Sequence, residues 1–365
     1  MKKSILFFTG GTALREIASE ISKDKDIIMT NIITAFDSGG SSAEIRKEFD
    51  ILAIGDIRNR MISLLNNQNS HISDFLKYRF RKTEDNLKLK SELEEMINLN
   101  HFLIKKLPQN FQIFFSESLK LFNENLSGNF NFKDGSIGNF IITGNYLLTK
   151  NIYETIDIIK NLLNLKDIII PVTDQSLHIG ATLENNNIIL GQHNITSKQK
   201  CKSRPNIKEI FLIKNIKSSK KINSKDFKVH KDLKDRVENS DLIIYSIGSF
   251  YSSLLSNFLI NKVGDSIKNN NNKKVYIPNT FFDSELNNRT LSFQVTELLK
   301  YLKAQNSKDY LNYILIDENH NYPFELDFNN LAKDIKVIKK DIINMENYPK
   351  LSAKKIIKEL KDLIS

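Results

Sequence analysis

Short apolar, β-leaning runs recur along the chain, and each ends on turn-forming residues. They are "SILFF" before Thr9-Gly10-Gly11, "NIITAF" before Asp37, "DIII" before Pro171, "DLIIYS" before Ile247-Gly248-Ser249, and "KVYI" before Pro278-Asn279. Most are followed by apolar residues at helical spacing. Continuous apolar strands alternating with helices predict a mostly parallel sheet covered on both faces: an α/β, Rossmann-like, three-layer α/β/α fold. In such sheets a ligand lies beyond the carboxyl ends of the strands, where each of these polar breaks falls.

The pattern changes between His71 and Leu126. There "FLKYRFRKTEDNLKLKSELEEMINLNHFLIKKL" repeats apolar residues at helical spacing and carries no strand signal, so residues 71–126 are expected to form a helical insertion within one domain spanning 1–365. Such an insertion either packs against the sheet or covers the ligand site. Further on, "LHIGATLENNNIILGQHNIT" holds two strand-like runs joined by Glu184 to Asn187, which predicts an antiparallel β-hairpin added to the sheet. The chain closes with "SFQVTELLKYL" as helix, "YILID" as strand and "SAKKIIKELKDLI" as an amphipathic helix.

Composition narrows the function classes. The 365 residues carry a net charge of +10, but the excess is lysine scattered among asparagine and isoleucine rather than a basic face. The lysine-rich stretch from Lys198 to Lys234 lacks interleaved aromatics, so nucleic acid is disfavoured as a partner. A single cysteine, Cys201, rules out an internal disulfide framework and points to a cytoplasmic setting. The opening "MKKSILFFTGG" imitates a secretory signal, but its apolar run is too short and reads as a first strand. No apolar run reaches the roughly 20 residues of a membrane helix.

The chemistry gathers at the strand ends. Of only 13 glycines, Gly10, Gly11, Gly39, Gly40 and Gly55 fall in the first sixth of the chain. Gly10 and Gly11 allow a tight turn that brings backbone N–H groups toward an anion, with Thr12 near the helix start; a plain turn is the competing reading. "FDSGGSSAEIR" adds Asp37, suited to a metal, a hydroxyl or an amine, and the hydroxyls of Ser38, Ser41 and Ser42 beside Gly39 and Gly40. Ser41 or Ser42 can equally cap the following helix.

Asp56 is expected to cap a helix beginning at Ile57. Arg58 and Arg60 then sit near its N-terminus, where a cation opposes the helix dipole; clamping an anion or pairing with Glu44 or Glu48 would account for them. Asn139 opens an apolar helix, where it can read a base or sugar edge or simply cap the helix. Gly248, Ser249, Ser252 and Ser253 follow another strand in a form suited to phosphate, with Tyr251 as core or stacking residue, and Asn279 and Asp283 follow the next. His178 and His193 lack metal-ligand spacing.

Taken in order, "FTGGTALREI", "IITAFDSGGSSAEIRKEFDILAIGDIRNRMISLL", "GSIGNFIITGNYL", "IIPVTDQSLHIGATLENNNIILGQHNI", "SDLIIYSIGSFYSSLLSNFLI" and "VYIPNTFFDSEL" resemble the CofD-like superfamily. That superfamily joins 2-phospho-L-lactate transferases to gluconeogenesis-factor proteins. "DSGGSSAEIRKEFDILAIGDIRN" is closer to the second branch, and "GGTALR" with "FDSGGSSA" resembles the CofD-related proteins of the GAK system.

The resemblance implies a bound nucleotide or nucleotide-sugar: a guanosine nucleotide with a deazaflavin acceptor in the transferases, a UDP-sugar in the gluconeogenesis factors. Carried over by position, Gly10, Gly11 and Thr12 lie under the diphosphate and Gly248, Ser249, Ser252 and Ser253 face it. Asn139 lies near base or ribose, and Asp37, with Asp283, toward Mg²⁺ or the acceptor. It leaves a homo-oligomer open. Phe36 stands where relatives usually carry the first of two acidic residues, which removes a carboxylate. Ser246-Ile247-Gly248-Ser249 replaces a Gly-Pro-Gly-Ser loop, and the middle of "NTFFDSE" matches neither branch closely. Two functions follow: transfer of a phospho-organic group to an acceptor alcohol, or ligand-dependent regulation without catalysis.

Overall fold

The computed structural model describes residues 2–65, 70–197, 204–227 and 229–364; Cys201 lies outside them, as does part of the lysine-rich stretch. The strands are β1 (Lys3–Thr9), β2 (Ile27–Ile33), β3 (Ile168–Pro171), β4 (His178–Leu183), β5 (Ile188–Leu190), β6 (Ile207–Ile213), β7 (Leu242–Tyr245), β8 (Lys273–Tyr276), β9 (Tyr313–Asp317) and β10 (Lys336–Lys340). Seven of them form one sheet in the order β10-β9-β8-β7-β1-β2-β3, every pair parallel. The order reverses between β1 and β7. Successive residues of β1 point into different cores: Ile5 and Phe7 into one, Leu6 and Phe8 into the other. That two-sided burial explains why the strands read as unbroken apolar runs.

Helices α1 (Arg15–Ile21), α2 (Gly40–Phe49) and α3 (Gly55–Leu64) cover the first face. The same core takes up α4 (Ser70–Lys77), α5 (Asn86–Ile97), α6 (Gln109–Glu124), α7 (Ile137–Thr149) and α8 (Ile152–Leu162). The stretch expected to be a helical insertion is therefore helical, and it packs: Phe115, Phe122 and Phe140 are fully buried, and the Phe122 and Phe140 rings stack at 4.3 Å.

A short α9 (Gln192–Ile195) and helices α10 (Lys231–Asn239), α11 (Val263–Asn269) and α12 (Leu291–Tyr301) lie over the second face, while α13 (Ala353–Ile364) returns to the first and buries Ile356, Ile357 and Leu360 there. No helix among the described residues is long and apolar enough to cross a membrane.

The hairpin departs from expectation. β4 and β5 do not extend the large sheet; they pair antiparallel with β6 as a separate three-stranded sheet, β5-β4-β6. The apolar side of β4, Ile179, Ala181 and Leu183, packs with Ile210 and Leu212 of β6 in the second core, so the small sheet stacks on the large one. Burial of that face outweighs edge pairing with β3.

Candidate functional site

Carboxyl ends of β1, β2, β7 and β8 converge at one edge, and two clefts open there. The first, of about 370 Å³, lies at the switch point; Thr12, Ala13, Arg15, Ile247, Asn279 and Phe281 are among the residues lining it. The second, of about 250 Å³, is lined by Asp37, Gly39, Gly40, Ser41, Arg58 and Asn139, with Arg79 and Asp134 at its edge. Thr12 and Asn279 thus fall in one chamber and six other expected site residues in its neighbour. Gly10, Gly11, Ser38, Gly248, Ser249, Ser252 and Ser253 line neither cleft, and Asp283 lines a small neighbouring pocket with Asn279 and Phe281.

The strand-end segments are tied by buried polar groups. Thr34 Oγ1 donates to Asp56 Oδ2 at 3.2 Å, and the Gly11 N–H also donates to this carboxylate. Gly11 passes so close that a methyl on it would lie 2.2 Å from Asp56 Oδ1. Burial first, then the charge of Asp37, pushes Asp56 up to about 6. Asp56 therefore does not cap a helix as expected: α3 begins at Gly55 without a side-chain cap. Arg60, fully buried, donates to Gly10 O at 3.0 Å, and Arg46 donates to Asp37 O at 2.9 Å. Burial lowers both guanidiniums to about 10.

Several expected ligand contacts are engaged within the protein. Arg58 donates to the Ser136 hydroxyl and to Asn59 Oδ1 at 2.7 Å, not to Glu44 or Glu48; Glu48 instead accepts from Ser127. Its Nε, like Asn139 Oδ1, is buried and unpartnered. Ser41 Oγ accepts from Ser136 N at 3.1 Å, and neither it nor Ser42 caps α2. Ser38 Oγ lies 2.8 Å from His193 Nδ1, a contact that the absence of metal spacing had hidden.

The turn after β7 supplies its own anions. Phe250 N–H donates to Asp283 Oδ2 at 2.8 Å, and Tyr251 N–H, Ser252 N–H and the Ser252 hydroxyl all donate to Glu285. Carboxylates from the loop after β8 thus hold the Phe250, Tyr251 and Ser252 donors of this turn, and of the residues expected to face phosphate only Ser252 is bound by one of them. Glu285, fully buried, is pushed up to about 7 by burial and by neighbouring Asp283. Asn279 holds Gly248 from both sides, accepting from its N–H at 2.8 Å and donating to its carbonyl at 2.6 Å. Gly248 has φ +143°, a conformation that side-chain-bearing residues rarely adopt.

A Mg²⁺ site built on Asp37 and Asp283 does not fit this donor set. Asp283 accepts on Oδ2 from Phe250 N–H and Asn279 Nδ2, and on Oδ1 from Glu285 N–H. Phe36 is fully buried in the second core. Asp37 accepts from Gly39 N–H through Oδ1 at 3.0 Å, leaving one oxygen for a ligand. Among the described residues no group of three or more His, Cys, Asp or Glu side chains is placed to hold a metal.

Sequence reading passed over Arg15. It occupies the first position of α1, where the dipole argument applied to Arg58 holds equally, and it is exposed in the first cleft. The signal was present and was read at one helix only.

Fold and site together define a doubly wound α/β protein whose cleft opens at the sheet's switch point. The chain belongs to the family described as 2-phospho-L-lactate transferase CofD, whose profile matches residues 5–346. It is 28% identical over 278 residues to the gluconeogenesis factor of Listeria monocytogenes, covering 76% of this chain and 67% of that protein. It is 24% identical over 316 residues to the gluconeogenesis factor of Bacillus subtilis, covering 87% and 79%. A crystal structure of a UPF0052 family member from Bacillus halodurans superposes with a TM-score of 0.74 at 21% identity, over 99% of both chains, and shares the fold.

Proposed function

We propose that this chain binds a nucleotide or nucleotide-sugar in the switch-point cleft, and that its activity is ligand-dependent regulation of the gluconeogenesis-factor type. The observation that carries this reading is the cleft itself. It opens between β1 and β7, where doubly wound sheets take their ligands, with the exposed Thr12 and Arg15 on one wall and Asn279 on the other. Regulation is favoured over transfer because the carboxylates at hand are engaged or absent: Asp283 on backbone donors, Phe36 in the core.

A transferase is the second reading, and Asp37 in the adjoining chamber favours it. There the acceptor's hydroxyl oxygen would form a bond to phosphorus as the bond to the nucleotide breaks, with Asp37 in place to take the hydroxyl proton. Thermal-shift titration with GDP, GTP, UDP and UDP-sugars, with and without Mg²⁺, tests the shared part. A ligand at 100 times its Kd stabilises by about 2.7 kcal/mol, and no shift at millimolar concentration refutes both readings. Unchanged ligand in the presence of candidate alcohols upholds regulation; a transferred group upholds the transferase.

A further inference from the structure

The wall of the switch-point cleft formed by the loop after β8 presents Phe281 half exposed, at 51%, among Ala13, Ile17, Ile247 and Leu351. A single exposed aromatic is ordinary. This one lies on a cleft two of whose lining segments are fastened together. His320 Nε2–H donates to Thr280 O at 2.9 Å, and Nδ1 lies 3.1 Å from the Tyr348 hydroxyl; the carbonyl only accepts, which makes Nε2 the donor. One imidazole therefore joins the residue before Phe281 to the segment carrying Lys350 and Leu351, which also line the cleft.

Charge in the cleft is arranged unevenly. Lys350 Nζ is 3.1 Å from Glu16 Oε1, whereas Arg15 lines the cleft and forms no salt bridge among the described residues. An apolar floor, an aromatic face at the rim and an uncompensated guanidinium suit a ligand with a flat ring at one end and phosphate at the other.

We infer that Phe281 is the stacking platform for the ligand's aromatic base and Arg15 the cation for its phosphate, so that the cleft selects base-bearing phosphates over bare ones. This rests on the nucleotide reading given above. It is tested on the full chain by isothermal titration with GDP, UDP, ribose 5-phosphate and inorganic pyrophosphate.

The wild type should bind GDP or UDP more tightly than ribose 5-phosphate. Phe281→Leu, which keeps apolar bulk and removes the ring face, should weaken the preferred nucleotide about tenfold and leave ribose 5-phosphate unchanged, while Phe281→Tyr retains wild-type affinity. Arg15→Ala should weaken nucleotide and ribose 5-phosphate alike. Nucleotide binding that is indifferent to Phe281→Leu overturns the platform and leaves the nucleotide reading standing. Equal affinity of the wild type for GDP, UDP and ribose 5-phosphate does the same. No binding of any of the four overturns both.

Discussion

At the scale of single residues, Asp56 is the group whose environment has most to say. Its burial and the nearby Asp37 outweigh Thr34, Arg60 and the Gly11 N–H, so its carboxyl in the fold titrates near 6 instead of 3.8. An acid with a raised native pKa favours folding below its unfolded pKa, and that advantage is lost as pH rises through the native value. At about 1.4 kcal/mol for each pH unit, the difference amounts to a penalty on the order of 3 kcal/mol above pH 7. Asp56→Asn should therefore flatten the fall in melting temperature between pH 4 and 7; an unchanged slope would show that Asp56 is not its source. The neighbouring Gly11→Ala places a methyl against the Asp56 backbone, 2.8 Å from its Cα, and should destabilise by roughly 1–3 kcal/mol in denaturant unfolding. The glycines were legible in the sequence as sites of close approach. What they approach was not, because Asp56 and the arginines beneath them arrive by tertiary packing.

At the scale of elements, the segment after β7 shows what a local reading leaves out. A strand followed by Gly248, Ser249, Ser252 and Ser253 is the right form for phosphate, and nothing within that segment reveals that Asp283 and Glu285, more than 30 residues on, accept from Phe250, Tyr251 and Ser252. The periodicities otherwise served well, since β1, β2, β3, β7, β8 and β9 each overlap an apolar run read from the sequence, although β2 begins four residues before "NIITAF". β10 went unread because it is the polar edge strand "KVIKK", whose lysines are the kind of residue that protects an edge from pairing. The bonding of Asp283 yields a direct test of its role. Asp283→Ala removes the acceptor for the buried Phe250 N–H and should cost about 1–3 kcal/mol of stability. Asp283→Asn, which keeps one acceptor oxygen, should leave any Mg²⁺ dependence of nucleotide binding as in the wild type. Loss of that dependence alone would restore Asp283 as a metal ligand.

At the scale of the whole molecule, two clefts with separate linings open at the carboxyl edge of the sheet, and this arrangement separates binding from chemistry. Asp37 lines only the second cleft, and one of its oxygens already holds Gly39. Replacing it with asparagine keeps the size and an acceptor for Gly39 N–H and removes the negative charge. A nucleotide held in the first cleft by Thr12, Arg15 and Asn279 should then bind with nearly wild-type affinity, because none of its contacts is touched. Loss of binding in Asp37→Asn would mean that the ligand occupies the second chamber and that the switch-point assignment is wrong. With affinity retained, the same variant decides between regulation and transfer. Turnover present in the wild type and absent in Asp37→Asn makes Asp37 the group that handles the acceptor; turnover equal in both denies it that role. A wild type that holds its nucleotide unchanged across acceptor alcohols leaves the second chamber, with its buried unpartnered Arg58 Nε and Asn139 Oδ1, as a place where a second ligand modulates the first. That coupling is reciprocal and is measured by titrating the nucleotide with and without the alcohol.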